Sequence, residues 1–218
     1  MLKRLFDLIC AVIGLLLLLP VFIIIGALIR KDGGPTFFRQ ERVGLNGKLF
    51  RIFKFRSMAV GAEKQGGQIT AGRDPRVSGI GAFIRKSKID ELPQLINVLL
   101  GQMSIVGPRP EVPQYVEKWS QKDRDIILSV RPGVTDYASL IYSNEQEVLG
   151  ASDDPNKTYV EKVMPHKLAL YRQYVWERSF RLDLRIILAT ILKLMGFNVA
   201  ALLPELKGFT TETDRLGG

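Results

Sequence analysis

The sequence predicts an α+β fold, mostly α, with an N-terminal re-entrant membrane helix, a short β-hairpin and amphipathic interfacial helices around one compact domain. Three observations predict it. Leu8 to Ile29 is apolar and carries no charged residue. Two β-prone stretches flank an Asn46-Gly47 turn. Beyond them, helix-forming stretches alternate with Gly- and Pro-rich breaks. The boundaries that follow are 1–31 for the membrane helix, 32–200 for the compact domain and 201–218 for a C-terminal tail.

The apolar run of 22 positions gives a helix of about 33 Å, enough to cross a hydrocarbon core. A cleaved leader fits less well, because Arg30-Lys31-Asp32-Gly33-Gly34 follows rather than a small-residue cleavage site. Pro20 interrupts the run, and proline removes a backbone donor and kinks or breaks a helix. Lys3 and Arg4 precede the run, and Arg30 and Lys31 follow it. Lys and Arg favour the cytoplasmic side, so a hairpin with both ends there satisfies both clusters. A plain span stays open, since proline is tolerated in spanning helices.

The net charge of +9 is placed unevenly. Residues 1–110 hold 17 Lys/Arg against 7 Asp/Glu, and the remainder holds 14 against 15. The excess therefore lies beside the apolar run, which points to anionic lipid headgroups or phosphorylated substrates. No nucleic-acid recognition motif accompanies it. Cys10 and His166 are the single cysteine and single histidine, so an internal disulfide and a cysteine-built zinc site are both excluded.

Thr36–Arg42 and Lys48–Arg56 read as strands joined at Asn46-Gly47. On the second, Lys54 and Arg56 share one face, while Phe53 and Phe55 share the other. Residues 57–79 read as a flexible loop. Ile80–Lys88 and Glu91–Leu100 read as helices, the latter ended by Gly101, and Ser104–Pro113 as an ordered loop. Val116–Val130 reads as helical, Arg131–Thr135 as a turn and 143–158 as a loop. Tyr159–Phe197 reads as one or two helices interrupted at Pro165. Its stripe of Leu184, Ile187, Leu188, Ile191 and Leu192 suits a core or a membrane interface.

The chemistry concentrates in Arg85-Lys-Ser-Lys-Ile-Asp90-Glu91-Leu-Pro93. Read as structure, Ser87-x-x-Asp90 is a capping-box pattern and Asp90 an N-cap, with Pro93 in the first turn. Read as chemistry, a helix N-terminus favours an ionised carboxylate and attracts phosphate. An aspartate there can attack phosphorus, while a neighbouring carboxylate helps to hold Mg²⁺. Arg85, Lys54, Arg56 and Arg109 are candidate phosphate clamps.

Four motifs occur in order: Lys54-Phe-Arg-Ser-Met58; Arg85-x-x-x-x-Asp90-Glu91-Leu-Pro-Gln-Leu-x-Asn97; Met103-Ser-x-Val-Gly-Pro-Arg109-Pro110; and Arg131-Pro-Gly-Val-Thr135. Together the set resembles the bacterial sugar transferases, the monotopic polyprenyl-phosphate phosphoglycosyl transferases, in their minimal form. The resemblance runs from Lys3 to about Thr190. It implies a catalytic dyad at Asp90 and Glu91, and phosphate contacts at Lys54, Arg85 and Arg109. It further implies a requirement for Mg²⁺ held at the dyad, a UDP-sugar donor, an undecaprenyl phosphate acceptor and a covalent phosphosugar–aspartate intermediate. The implied location is the bacterial inner membrane, among membrane lipids, with the catalytic domain on the cytoplasmic face.

The family's re-entrant helix breaks at Ser-Pro, where this chain has Leu19-Pro20. The family's Thr-Gly after the Arg-Pro-Gly turn is replaced by Thr135-Asp136-Tyr137-Ala138-Ser139, near the expected substrate pocket. The stretch from Asn144 to Pro165 is longer than in the simplest members. A membrane-anchored module binding anionic lipid, or an inactive scaffold, would also explain charge and anchor, but not the ordered motifs. A homodimer is compatible with the sequence, which specifies neither oligomeric state nor sugar.

Overall fold

The computed structural model describes residues 2–31, 33–62, 70, 72 and 74–209. Parts of the expected 57–79 loop (63–69, 71 and 73) and of the expected tail (210–218) lie outside the described residues.

The apolar run forms α1 (Leu2–Arg30), one helix with Pro20 inside it. The chain stays helical through Pro20 instead of parting into two helices. Buried and half-buried positions recur along one stripe at 7, 11, 14, 18, 21, 25 and 29. Each half of that stripe packs on the compact domain. Ala11 joins Phe50, Ile52, Val98 and Met103, while Ile25 and Ile29 join Phe55 and Ile84. Asp7, just before the charge-free run, is 2% exposed and accepts hydrogen bonds from Ser104 Oγ at 2.9 Å and Ile105 N at 3.0 Å. The rest of the helix surface is bare, with Leu16, Leu17, Leu19, Ile23 and Ile24 all more than half exposed around Pro20.

The hairpin forms as its pattern requires. β1 (Phe37–Val43) and β2 (Leu49–Phe55) pair antiparallel, with Phe37 opposite Phe55 and Val43 opposite Leu49. Asn46 and Gly47 take positive φ of 54° and 75°, which these two residue types accept most readily.

Two short helices follow, α2 (Gly79–Lys86) and α3 (Gln94–Leu99), separated by a tight 3₁₀ turn over Ile89–Glu91. Gly101, at φ 78°, ends α3. The stretch read as a Pro-rich loop begins as a strand, β3 (Ser104–Val106), and the stretch read as a turn is β4 (Gly133–Thr135). They pair in parallel, Ser104 with Gly133 and Val106 with Thr135. Between them lie α4 (Pro113–Val116) and α5 (Gln121–Ile127).

After β4 come α6 (Tyr137–Ile141), α7 (Glu145–Gly150) and α8 (Pro155–Thr158), so the expected 143–158 loop is partly helical. Asp154 caps α8 through Lys157 N, with Pro155 at its first position. A wide turn over Tyr159–Val163 runs straight into α9 (Met164–Glu177). Pro165 therefore sits in a first turn, where its missing N–H costs little, and the break falls at Arg178-Ser179 instead. Ser179 caps α10 (Phe180–Leu194) through Leu182 N at 3.2 Å.

The main core gathers Tyr137, Leu170, Tyr174 and Ile186 from α6, α9 and α10. Leu203 and Leu206 are buried in it, and Phe209 packs against it. The outer side of α10 leaves Leu184, Leu188 and Ile191 exposed while Ile186 and Ala189 face inward. Most of the stripe read from the sequence thus lies on the exposed side of α10 and not in the core.

Candidate active site

The site forms where β2, the α2–α3 connection and the loop after β3 converge. The sharp turn after α2 uses Lys88 at φ 57°, which swings Ile89–Glu91 back under β2. Ser87 is spent on α2: its Oγ donates to Phe83 O at 2.8 Å and Ile84 O at 3.3 Å. The Ser87–Asp90 capping box does not form. Asp90 lies inside the 3₁₀ turn, 8% exposed, and its carboxylate accepts no hydrogen bond among the described residues. The long helix terminus expected to cradle it is also absent, since α3 has six residues.

Positive charge comes from side chains instead. Lys54 Nζ donates to Glu91 Oε1 at 2.9 Å. Arg109 grips Glu91 with two nitrogens, Nη1 donating to Oε2 at 3.0 Å and Nη2 to Oε1. Arg85, from the last turn of α2, reaches Ser57 Oγ at 3.4 Å and adds its charge near Asp90. Burial raises the pKa of Glu91, but Arg109 and Lys54 outweigh it and hold the group well below the usual range. Asp90 goes the other way. Burial, then Glu91, push its pKa up against the pull of Lys54, Arg85 and Arg109.

The frame is fixed by Asn97, fully buried, which donates to Arg51 O at 2.9 Å and accepts from Phe53 N at 2.8 Å. That ties α3 to β2 one residue from Lys54. The Gln94 amide, one turn after Asp90, is wholly buried with no partner among the described residues.

A family model described as bacterial sugar transferase matches residues 1–196. The chain belongs to the bacterial sugar transferase family. It is 42% identical over 202 residues to a Streptococcus agalactiae protein named galactosyl transferase CpsE, covering 87% of this chain and 41% of that one. It is 36% identical over 196 residues to the Escherichia coli UDP-glucose:undecaprenyl-phosphate glucose-1-phosphate transferase, covering 88% and 40%. It is 35% identical over 206 residues to the Rhizobium leguminosarum exopolysaccharide production protein PSS, covering 87% and 93%. The chain thus spans about two fifths of the first two relatives.

Lys54, Arg85, Asp90, Glu91 and Arg109 come together in the fold. Arg56 does not join them. Its guanidinium donates to Pro35 O at 2.8 Å, Met58 O at 3.2 Å and Ile29 O at 2.9 Å, which ties the end of α1 to the hairpin. It holds backbone and is 7% exposed.

Two neighbours escaped the sequence reading as site residues. Arg42 donates to Pro110 O at 3.1 Å and Glu111 Oε1 at 3.3 Å, within electrostatic reach of Glu91. Asp136 accepts Arg109 N at 3.3 Å and Ser139 N at 2.8 Å, bracing the Arg109 loop against α6. Asp136 was legible only as a departure from the family pattern; Arg42 gave no signal beyond its strand.

Among the described residues, no three His, Cys, Asp or Glu side chains gather as a metal cluster. Mg²⁺ commonly takes one or two carboxylates alongside substrate phosphates, and Asp90 with Glu91 fits that pattern. The Asp90 carboxylate accepts no hydrogen bond among the described residues, while Glu91 is engaged by Lys54 and Arg109.

Proposed function

We propose that this chain transfers a sugar 1-phosphate from a UDP-sugar to undecaprenyl phosphate, releasing UMP, as the first membrane step of a glycan's assembly. The observation that carries the reading is the Asp90 carboxylate, which accepts no hydrogen bond among the described residues and lies within electrostatic reach of Lys54, Arg85 and Arg109. A buried acid facing three cations is placed to meet a diphosphate, and the cations prefer its oxygens as charge builds there. The E. coli relative's name supplies donor and acceptor of the matching kind.

In the first step an Asp90 oxygen bonds the β-phosphorus. The bond from that phosphorus to the bridging oxygen breaks, and its electron pair leaves with UMP. Lys54, Arg85 and Arg109 hold the phosphate oxygens through the charge shift. In the second step an oxygen of undecaprenyl phosphate attacks the same phosphorus and the Asp90–phosphorus bond breaks, restoring the carboxylate. Asp90 and Glu91 would hold Mg²⁺, which would supply charge neutralisation between the anionic reactants. Glu91 would join its ligands if Lys54 and Arg109 turned to the incoming phosphates.

The membrane arrangement follows the contacts of α1. Lys3, Arg4 and Asp7 at one end, and Gly26 and Ile29 at the other, all touch the same domain. Both ends then lie on its side of the bilayer, the cytoplasmic face of the inner membrane, and the bare leucines around Pro20 enter the hydrocarbon.

The test is a panel of UDP-sugars with undecaprenyl phosphate in nanodiscs, read by UMP release with and without a chelator. Wild type is expected to release UMP from at least one donor, and Asp90→Asn to form no covalent sugar-phosphate adduct. A panel yielding no UMP, or an Asp90→Asn adduct at the wild-type rate, would overturn the reading.

A further inference from the structure

Beyond the phosphate clamp lies a second polar cluster that the mechanism above does not use. Tyr171, on α9, is 3% exposed, yet its hydroxyl makes no hydrogen bond among the described residues. Asp136, Glu111, Arg109 and Glu145 all lie within electrostatic reach of it. Burial, then Asp136 and Glu111, push its pKa well up, so it remains a neutral phenol able to donate. Glu145, opening α7, is gripped through both oxygens by buried Lys167 at 2.7 and 2.6 Å.

An ion pair at that depth returns little net stability. It does fix a carboxylate in one direction, and the Glu145 side chain keeps 25% of its surface exposed. Resting on the proposed reaction, we infer that Tyr171 and Glu145 bind the ring hydroxyls of the donor's sugar, with Arg109 holding the adjoining phosphate. The cluster's chemistry favours the sugar over the nucleotide. Phenol and carboxylate pair naturally with hydroxyls. A nucleobase needs an uncovered ring face, and Tyr142 and Tyr159 are buried with the Lys167 ammonium at 5.7 and 5.2 Å from their centroids.

The experiment uses the full chain in nanodiscs with undecaprenyl phosphate and UDP-sugars that differ at a single hydroxyl, such as the glucose and galactose pair. Tyr171→Phe and Glu145→Gln are each expected to lower kcat/KM for the preferred donor about 10- to 100-fold. The preference over its epimer should shrink about tenfold or more, while inhibition by added UMP stays unchanged. Melting temperatures of both variants report folding, and Glu145→Gln carries the test if Tyr171→Phe fails to fold. Preference ratios that stay within about twofold of wild type sink the inference while leaving the transferase reading intact. Weakened UMP inhibition with unchanged sugar preference assigns the cluster to the nucleotide and also sinks it. A wild type that releases no UMP from any donor removes the reaction, and this inference with it.

Discussion

Asp90 and Glu91 are adjacent in the chain but meet different fields. Glu91 has both oxygens donated to by Arg109 and Lys54, so its charged form is favoured despite burial. Asp90 has burial and the Glu91 charge against it, and no donor of its own among the described residues. The signs follow by linkage. Asp90's folded pKa lies above its unfolded value, so its relative contribution to stability is largest below about pH 4 and is lost as pH rises through the folded value. Asp90→Asn removes that penalty: at pH 8 the variant should melt about 2 °C or more above wild type, with the gain vanishing toward pH 4. A lower melting temperature at pH 8 would mean that ionised Asp90 stabilises the resting fold. Glu91 has the opposite sign. Its stabilisation is present above the unfolded value and lost as pH falls through the depressed folded value. Glu91→Gln should cost about 3 kcal/mol at pH 7 by leaving two poorly solvated cations half-paired, and the loss should shrink in acid. Denaturant titrations at pH 7 and pH 3 measure this. The dyad was legible in the sequence as a pair, but its division was not, because that depends on partners up to 37 residues away.

Among the elements, close backbone approaches explain motif residues that sequence reading could only classify as turns. A Cβ on Gly81 would lie 1.8 Å from the Ser57 carbonyl oxygen, so the first turn of α2 must press against the segment leaving β2. The same contact sets the distance from Ser57 to Arg85, one helical turn on. Gly81→Ala should therefore cost about 1–3 kcal/mol by overpacking and also raise the donor KM by displacing Arg85. Chemical denaturation and UMP-release kinetics together test it; a stability loss with unchanged KM would detach α2 packing from the site. Gly107 and Gly133 meet in the same way, a Gly133 Cβ falling 2.1 Å from Gly107 N, where β3 and β4 pass. The parallel pair was illegible because each strand has three residues, flanked by proline, and its partner is 29 positions away. The hairpin was legible because its register is local and its turn residues announce themselves. The break in the last helices was misplaced because Pro165 reads as a stop, whereas a first-turn proline is a start, and the capping serine at 179 marks the real boundary.

At the scale of the molecule, the proposed arrangement seats a 29-residue apolar helix and a polar domain on one membrane surface. A straight helix of that length would be about 43 Å long and could cross a bilayer. Its contacts support the proposed one-sided arrangement instead. Lys3 pairs with Asp183 at 2.5 Å and donates to Val106 O at 3.1 Å, while Tyr174 Oη donates to the other Asp183 oxygen at 2.8 Å. Phe6 packs edge-on to Phe180, which joins the start of α1 to the exposed apolar side of α10. At the far end Arg56 holds Ile29 O, and Gly34 makes room for that guanidinium. Sending either end through the bilayer would take Lys3 from buried Asp183, or the Ile29 carbonyl from buried Arg56, at a cost of about 1–3 kcal/mol. Cysteines placed singly at Leu2 and Lys31, with Cys10 changed to serine, should therefore both resist an impermeant thiol reagent from the periplasmic side and both react once the membrane is opened. Labelling at position 2 alone in intact cells would establish a spanning helix. In that case the Lys3–Asp183 pair could not exist in the membrane-bound enzyme, and Lys3→Met would leave the melting temperature unchanged instead of lowering it by about 4 °C or more.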